Sequence, residues 1–299
     1  MSSRVKILTA RSISKTIAAA MNDAPFRGRV WNSFPAACNL VERDRVVSLV
    51  TPAVGDGPLN VVVESQEPFT DLKAGTEAVF DGEAINIGGH LKVNLQAAEV
   101  WNPLISWPEI AAPAMLALWE HLREQAAAGS LLTVWIPEIR PIRGVQIAFH
   151  ETARGAAERL LLALQRGDQN GIIAHTSALA GLGAGATPAG DDFLMGLMAG
   201  LRAWPQFLSA GDLSAADACA FIVRSAAIRT HVFSTAHLRA AQAGEMSTGW
   251  HRLAAVLSTN DGTAIQEAVD SLLAFGSSSG ADALAGFVGP YLMTEPDKI

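Results

Sequence analysis

Asp191 and Asp192 close a stretch, GLGAGATPAGDDFLMG, in which Gly181, Gly183 and Gly185 lead to Thr187-Pro188 and then to the two carboxylates. Gly183 and Gly185 can take positive φ without steric penalty, and successive amides in such a loop can point the same way and form a concave nest for an anion. Thr187-Pro188 reads as a helix start, a hydroxyl cap followed by a residue whose missing N–H costs nothing in the first turn. The helix N-terminus adds partial positive charge. Taken alone, these features imply phosphate binding. The aspartates oppose it, because two like charges about 4–6 Å from an anion each cost roughly 0.5–1 kcal/mol in water and more in a cleft. Two arrangements remove the conflict. Either a divalent cation such as Mg2+ bridges carboxylate and phosphate, or the ligand has an anionic pole for the amides and an N–H-bearing pole for Asp191 and Asp192. Helix capping explains one such aspartate; a pair behind this run of glycines points to a functional site.

The loop is neither of two familiar phosphate motifs. No Lys-Ser/Thr follows the glycines, and the preceding GIIAHTSALA reads as helix rather than strand. A second loop, FGSSSGADALAG, repeats the logic more weakly: Ser277, Ser278, Ser279 and Gly280 precede Asp282 and an apolar helix. Between the loops, RTHVFSTAHLRAAQAGE spaces Thr230, Ser234 and His237 at i, i+4 and i+7, which makes one stripe if the segment is helical. His237 is then a candidate acid or base near neutral pH. No HExxH pair occurs, GSSSG lacks the strand–turn–helix context of a GxSxG elbow, and Cys38 and Cys219 match no metal spacing and read as packing. Gly196 and Gly200, four apart, mark a face for close helix packing.

The elements that must hold these loops divide the chain in two. Residues 1–108 read as β-rich, from runs such as VWNSFPAACNLV, DRVVSLVTP, LNVVVES and LKVNLQAAEVW separated by Gly, Pro and Asp. An amphipathic helix is expected over the N-terminal MSSRVKILTARSISKTIAAAMN. Residues 109–299 read as mainly helical. A helix from Ala111 to Gly129 comes first, then an extended interruption at LLTVWIPEIRPIRGVQIAF. Helices follow over ETARGAAERLLLALQRGD, Phe193–Trp204, a long stretch from Leu213 to Ala243, Trp250–Leu257, Ala264–Phe275 and Ala281–Met293. The expected class is α+β, a β-rich N-terminal unit followed by a mostly helical C-terminal one. Of 299 residues, 49% are apolar and 17% charged, enough for a sizeable core. A formal charge of −7 without a Lys/Arg cluster argues against nucleic acid, and no apolar run is long enough to span a membrane. A cytoplasmic protein is expected.

GLGAGATPAGDDFLMGLMAGL, with the later GSSSGADALAG and the T-x(3)-S of Thr230 and Ser234, resembles a bacterial family associated with a subunit of oxamate carbamoyltransferase, from anaerobic allantoin breakdown. The likeness extends to VWNSFPAACNL and AEVWNP. It implies a site built from Gly183, Gly185, Thr187, Pro188, Gly190, Asp191 and Asp192, with Ser278, Ser279, Gly280 and Asp282. Ala184, Ala189 and Ser277 stand where the family commonly has Pro, Ser and His. The implied reaction is reversible carbamoyl transfer, oxalurate plus phosphate giving oxamate plus carbamoyl phosphate. It implies other protein subunits as partners and needs no redox cofactor or covalent nucleophile. Two alternatives stand beside it: a Mg2+-dependent hydrolase or phosphoryl-transfer enzyme with Asp191 and Asp192 as metal ligands, and a non-catalytic scaffold or ligand-sensing subunit.

Overall fold

Alternating β-branched residues with turns between them fold as strands in the first hundred residues. A computed structural model describes residues 5–65, 69, 72–126, 130–136, 144–208, 213–259 and 261–294. The strands are β1 (Lys6–Ser14), β2 (Arg27–Phe34), β3 (Ala37–Glu42), β4 (Arg45–Val50), β5 (Asn60–Val63), β6 (Glu77–Phe80), β7 (Ala84–Ile87), β8 (Leu91–Asn94) and β9 (Glu99–Trp101). They form one sheet in the order β5-β4-β3-β2-β6-β7-β8-β1-β9, and β1 also pairs with β5, which closes a barrel. β1 makes the closure by using both sides. It runs parallel to β8 from Lys6 opposite Leu91 and parallel to β9 from Ser12 opposite Glu99, while Ala10 to Ile13 lie antiparallel to β5. Closure leaves little unpaired edge. Leu40, Leu49, Val61, Val63, Ile85, Ile87 and Val93 fill the buried side.

The N-terminal segment is therefore not one helix. Only Lys15–Asp23 is helical (α1), capped by Ser14 accepting from the Thr16 amide. The residues before it, including Ile7, Leu8 and Thr9, are drawn into β1 by pairing with β8. Long-range pairing overrides local helical spacing here.

The chain divides into two compact units, Met1–Leu104 with Glu245–Thr248, and Ile105–Gly244 with Gly249–Ile299. The helices beyond the barrel are α2 (Ala112–Gln125), α3 (Gly144–Arg166), α4 (Gln169–Leu179), α5 (Ala189–Ala203), α6 (Ala215–Ala226), α7 (Val232–Ala243), α8 (Thr248–Leu257), α9 (Gly262–Leu273) and α10 (Ser279–Thr294). The protein is thus mixed α+β, a barrel followed by a helical region, as its sequence implies. Three local expectations change. α2 ends at Gln125, with Ala126 already extended, and the expected stop at Gly129 lies outside the described residues. The segment expected to be extended forms a 3-10 turn at Leu131–Val134, and α3 has already begun at Gly144. The long helix from Leu213 to Ala243 is broken at residues 227–231, where α6 stops and His231 caps α7. Among the described residues no helix is long and apolar enough to cross a membrane. Cys38 and Cys219 are buried, and burial pushes their thiols to about 12 and about 11, which keeps them protonated packing groups.

α5 and α10 pack in parallel through glycines. A Cβ on Gly196 would lie 1.7 Å from the Ala283 carbonyl oxygen, one on Gly200 2.4 Å from that of Phe287, and one on Gly286 1.9 Å from that of Phe193. The close approach read from Gly196 and Gly200 is thus real, and Gly286 completes it. Gly196→Ala or Gly286→Ala should destabilise the chain by about 2–3 kcal/mol. Gly262→Ala, whose Cβ would meet nothing within 4 Å, should change stability by less than about 0.5 kcal/mol. Urea midpoints of the three variants test this.

Candidate functional site

The glycine-rich loop starts where α4 ends at Leu179 and finishes where α5 begins. Gly183 and Gly185 have φ of +110° and +123°, the left-handed side expected of them, and Gly181 joins them at +73°. The loop is pinned at both ends. The Leu182 amide donates to Leu179 O at 2.9 Å, and the Gly190 amide donates to Leu182 O at 2.8 Å. Between these anchors, no acceptor among the described residues takes the amides of Gly183, Ala184, Gly185, Ala186 or Thr187. Gly183 and Gly185 are exposed.

The two aspartates diverge. Asp191, 3% exposed, is filled on both oxygens: Oδ1 accepts from the Gly181 amide at 2.9 Å and Oδ2 from the Thr230 hydroxyl at 2.5 Å. It clasps the start of the loop to the segment between α6 and α7. Gly181 lies so close to the Arg229 carbonyl oxygen that a Cβ would approach it to 2.7 Å. Asp192, 5% exposed, faces the other way, and its Oδ2 accepts from the Thr187 hydroxyl at 3.0 Å. Thr187 Oγ1 is also 3.2 Å from Ser279 Oγ at the start of α10. Thr187 is thus not the helix cap that its place before proline suggested. Pro188 occupies the cap position with no side-chain bond, and the hydroxyl is spent on Asp192.

The second loop meets the first because α5 and α10 start side by side. Asp282, fully buried in the first turn of α10, accepts from the Leu131 amide at 2.6 Å through Oδ1, while its Oδ2 has no hydrogen-bond partner among the described residues. Nothing in the sequence around Leu131 signalled this role. Ser278 precedes α10 and its carbonyl accepts from the Asp282 amide at 2.8 Å. Gly280 donates to Phe275 O at 3.1 Å and presses on the Leu272 carbonyl, where a Cβ would approach to 1.8 Å. Gly190 presses likewise on Leu179 O, at 1.9 Å. These two glycines, expected among the ligand-binding residues, hold the loops in shape with their amides engaged inside the chain.

Burial sets the charge. It drives the Asp192 carboxyl up to about 8, against the Ser279 and Thr187 hydroxyls and helped by the nearby charges of Asp282 and Asp191. Burial likewise lifts Asp282 to about 6, opposed by the Leu131 amide. At neutral pH Asp192 is mostly protonated and uncharged, which removes the repulsion that an anion beside it would meet. His237 does not fit its expected role. Burial, with the His231 charge, lowers it to about 4, and its ring packs edge-on against Phe233 with centroids 4.8 Å apart. It stays neutral near pH 7 and exchanges no proton there. Nor do Thr230, Ser234 and His237 form one helical stripe, because Thr230 precedes α7. Ser234 is buried on α7 with an unpartnered hydroxyl, and its amide donates to His231 Nδ1 at 3.2 Å. Among the described residues no three of His, Cys, Asp and Glu gather closely enough to hold a metal ion.

The raised carboxyls have a consequence for stability. The folded chain holds these protons more tightly than the unfolded chain, so their contribution is full below the ordinary value of 3.8 and is lost as pH rises through about 6 for Asp282 and about 8 for Asp192. His237 and His150, both lowered by burial, act in the opposite sense below their ordinary 6.5. Between pH 6.5 and 8.5 the melting temperature should therefore fall, and Asp192→Asn should flatten that fall. An unchanged slope in the variant would assign it to another group.

The family model described as oxamate carbamoyltransferase subunit AllH matches residues 179–290, the span from the glycine-rich loop to Pro290. The model of the AllH family N-terminal domain matches residues 9–100, the barrel. No curated protein and no solved structure matches the chain. With the two models together taking in more than half of its length, the chain belongs to the AllH family, that of an oxamate carbamoyltransferase subunit.

Proposed function

We propose that the adjoining N-termini of α5 and α10 form a carbamoyl-transfer site for a small ligand with an anionic pole and an amide pole. One observation carries this reading: the Asp192–Thr187–Ser279 chain of hydroxyl and carboxyl contacts that joins the two loops. The free amides of residues 183–187 and the two helix ends offer donors and positive potential for a phosphate or carboxylate. Asp192, poised near 8, suits a group that gives and takes a proton near neutral pH. In one direction a phosphate oxygen attacks the carbamoyl carbon of oxalurate. The C–N bond breaks, and the Asp192 proton passes to the departing nitrogen to yield oxamate and carbamoyl phosphate. In reverse, the Asp192 carboxylate takes a proton from the oxamate N–H2 as its nitrogen attacks. Loop amides aimed at the carbamoyl oxygen stabilise the charge that develops there. This differs from the expectation of two accepting aspartates: Asp191 positions the loop and Asp192 alone handles the proton. The filled oxygens of Asp191 favour this reading over a Mg2+ site held by the aspartate pair.

The family name places the chain among subunits, so the test uses the complex assembled with its other subunits. Asp192→Asn should lower kcat about a hundredfold or more, with oxamate binding to the isolated chain retained within a fewfold and the melting temperature at pH 7 no lower. Full turnover in the variant would end the proton-transfer role. Unchanged turnover together with lost binding would mark a ligand-sensing subunit instead.

A further inference from the structure

The barrel carries a basic feature that carbamoyl transfer does not use. β2 turns Arg27 and Arg29 to solvent and Gly28 inward. Together with Arg43, Glu42, Gly75 and Glu77 they line an open groove of about 760 Å3, within the usual range of small-ligand sites. Among the described residues none of the three guanidinium groups has an ion-pair or hydrogen-bond partner. Two acids, Glu42 and Glu77, line the same groove, one fewer than the arginines. Glu42 is taken by Arg45, and Glu77, although opposite Arg29 in the β2–β6 register, makes no ion pair with it. A chain of net charge −7 thus keeps three unpaired arginines around one groove.

Arg43 adds a second, independent sign. At φ +53° it is the one non-glycine residue in the left-handed region among those described, a conformation in which a side chain is disfavoured and glycine is not. An arginine held where glycine would be more stable points to use of its side chain. The groove bed is closely packed. A Cβ on Gly28 would lie 2.6 Å from both the Phe26 ring and the Val41 carbonyl oxygen, and the Arg45 guanidinium covers that ring at 5.6 Å from its centroid. Arg27 and Arg29, two residues apart on one strand face, stand roughly 7 Å apart. Arginine forks bind phosphate and carboxylate oxygens in pairs.

We propose that this groove binds a small molecule bearing two or more phosphate or carboxylate groups, with Arg27 and Arg29 each taking one group and Arg43 reaching it from the β3–β4 turn. Isothermal titration of the full chain at fixed ionic strength tests this with pyrophosphate and citrate, against inorganic phosphate and acetate. The two polyanions should bind at least tenfold more tightly than the simple anions, and Arg27→Gln with Arg29→Gln should remove that advantage. Arg43→Gly should weaken polyanion binding severalfold while raising the melting temperature by roughly 2 °C, opposite movements that a purely structural arginine would not produce. Asp192→Asn should leave polyanion binding intact, which separates this groove from the proposed transfer site. Polyanion affinity unchanged in the double arginine variant, or no greater than that of acetate, would overturn the proposal. A poly-glutamate peptide that binds more tightly than either small polyanion would overturn it in favour of an acidic protein segment.

Discussion

Two helices run at contact distance only where no side chain stands between their backbones, and the candidate site depends on that constraint. Gly196, Gly200 and Gly286 leave α5 and α10 bare along their shared line. Because the helices are parallel, the loops that precede them are brought to the same end, and Thr187 comes within reach of Ser279. Parallel neighbours also set two positive helix ends side by side, which is unfavourable unless negative groups or ligands answer them. Asp191 in the first turn of α5 and Asp282 in that of α10 stand where such an answer is needed.

Burial then divides the labour among these acids. Asp191 finds donors on both oxygens and acts as a clasp. Asp192 has hydroxyls instead of amides and takes a proton to about 8. Asp282 is steadied chiefly by the Leu131 amide on Oδ1. Carboxyls whose environments push their proton affinities apart are the usual basis for separate roles within one site. The same force silences His237, whose burial makes the charged imidazole too costly near neutral pH. The two adjacent aspartates are therefore not equivalent, since one carboxyl is held by two donors and the other is mostly protonated at neutral pH.

The barrel obeys a different constraint, the pairing of every strand. β1 is shared between β5 on one side and β8 then β9 on the other, so an N-terminal segment with helical spacing is recruited as a strand. The same ladder presents Arg27 and Arg29 on one face, because alternate residues of β2 point the same way.

What could be read along the chain was what local geometry controls. The division into strands and helices follows from hydrophobic period, the left-handed φ of Gly183 and Gly185 from their lack of a side chain, and the close approach at Gly196 and Gly200 from their spacing. The grouping of loop glycines with acidic residues marked the place of the candidate site for the same reason. What only the tertiary structure decided is which partner each side chain meets. Asp191 and Asp192 are neighbours in sequence but point roughly 100° apart around a helix, one toward Thr230 and the other toward Thr187. The Leu131 amide reaches Asp282 from 151 residues away, and Thr187 turns from capping its helix to holding a carboxyl. Local backbone preference acts within a few residues, whereas solvation, and with it the charge of a carboxyl, depends on whatever distant segments close over it.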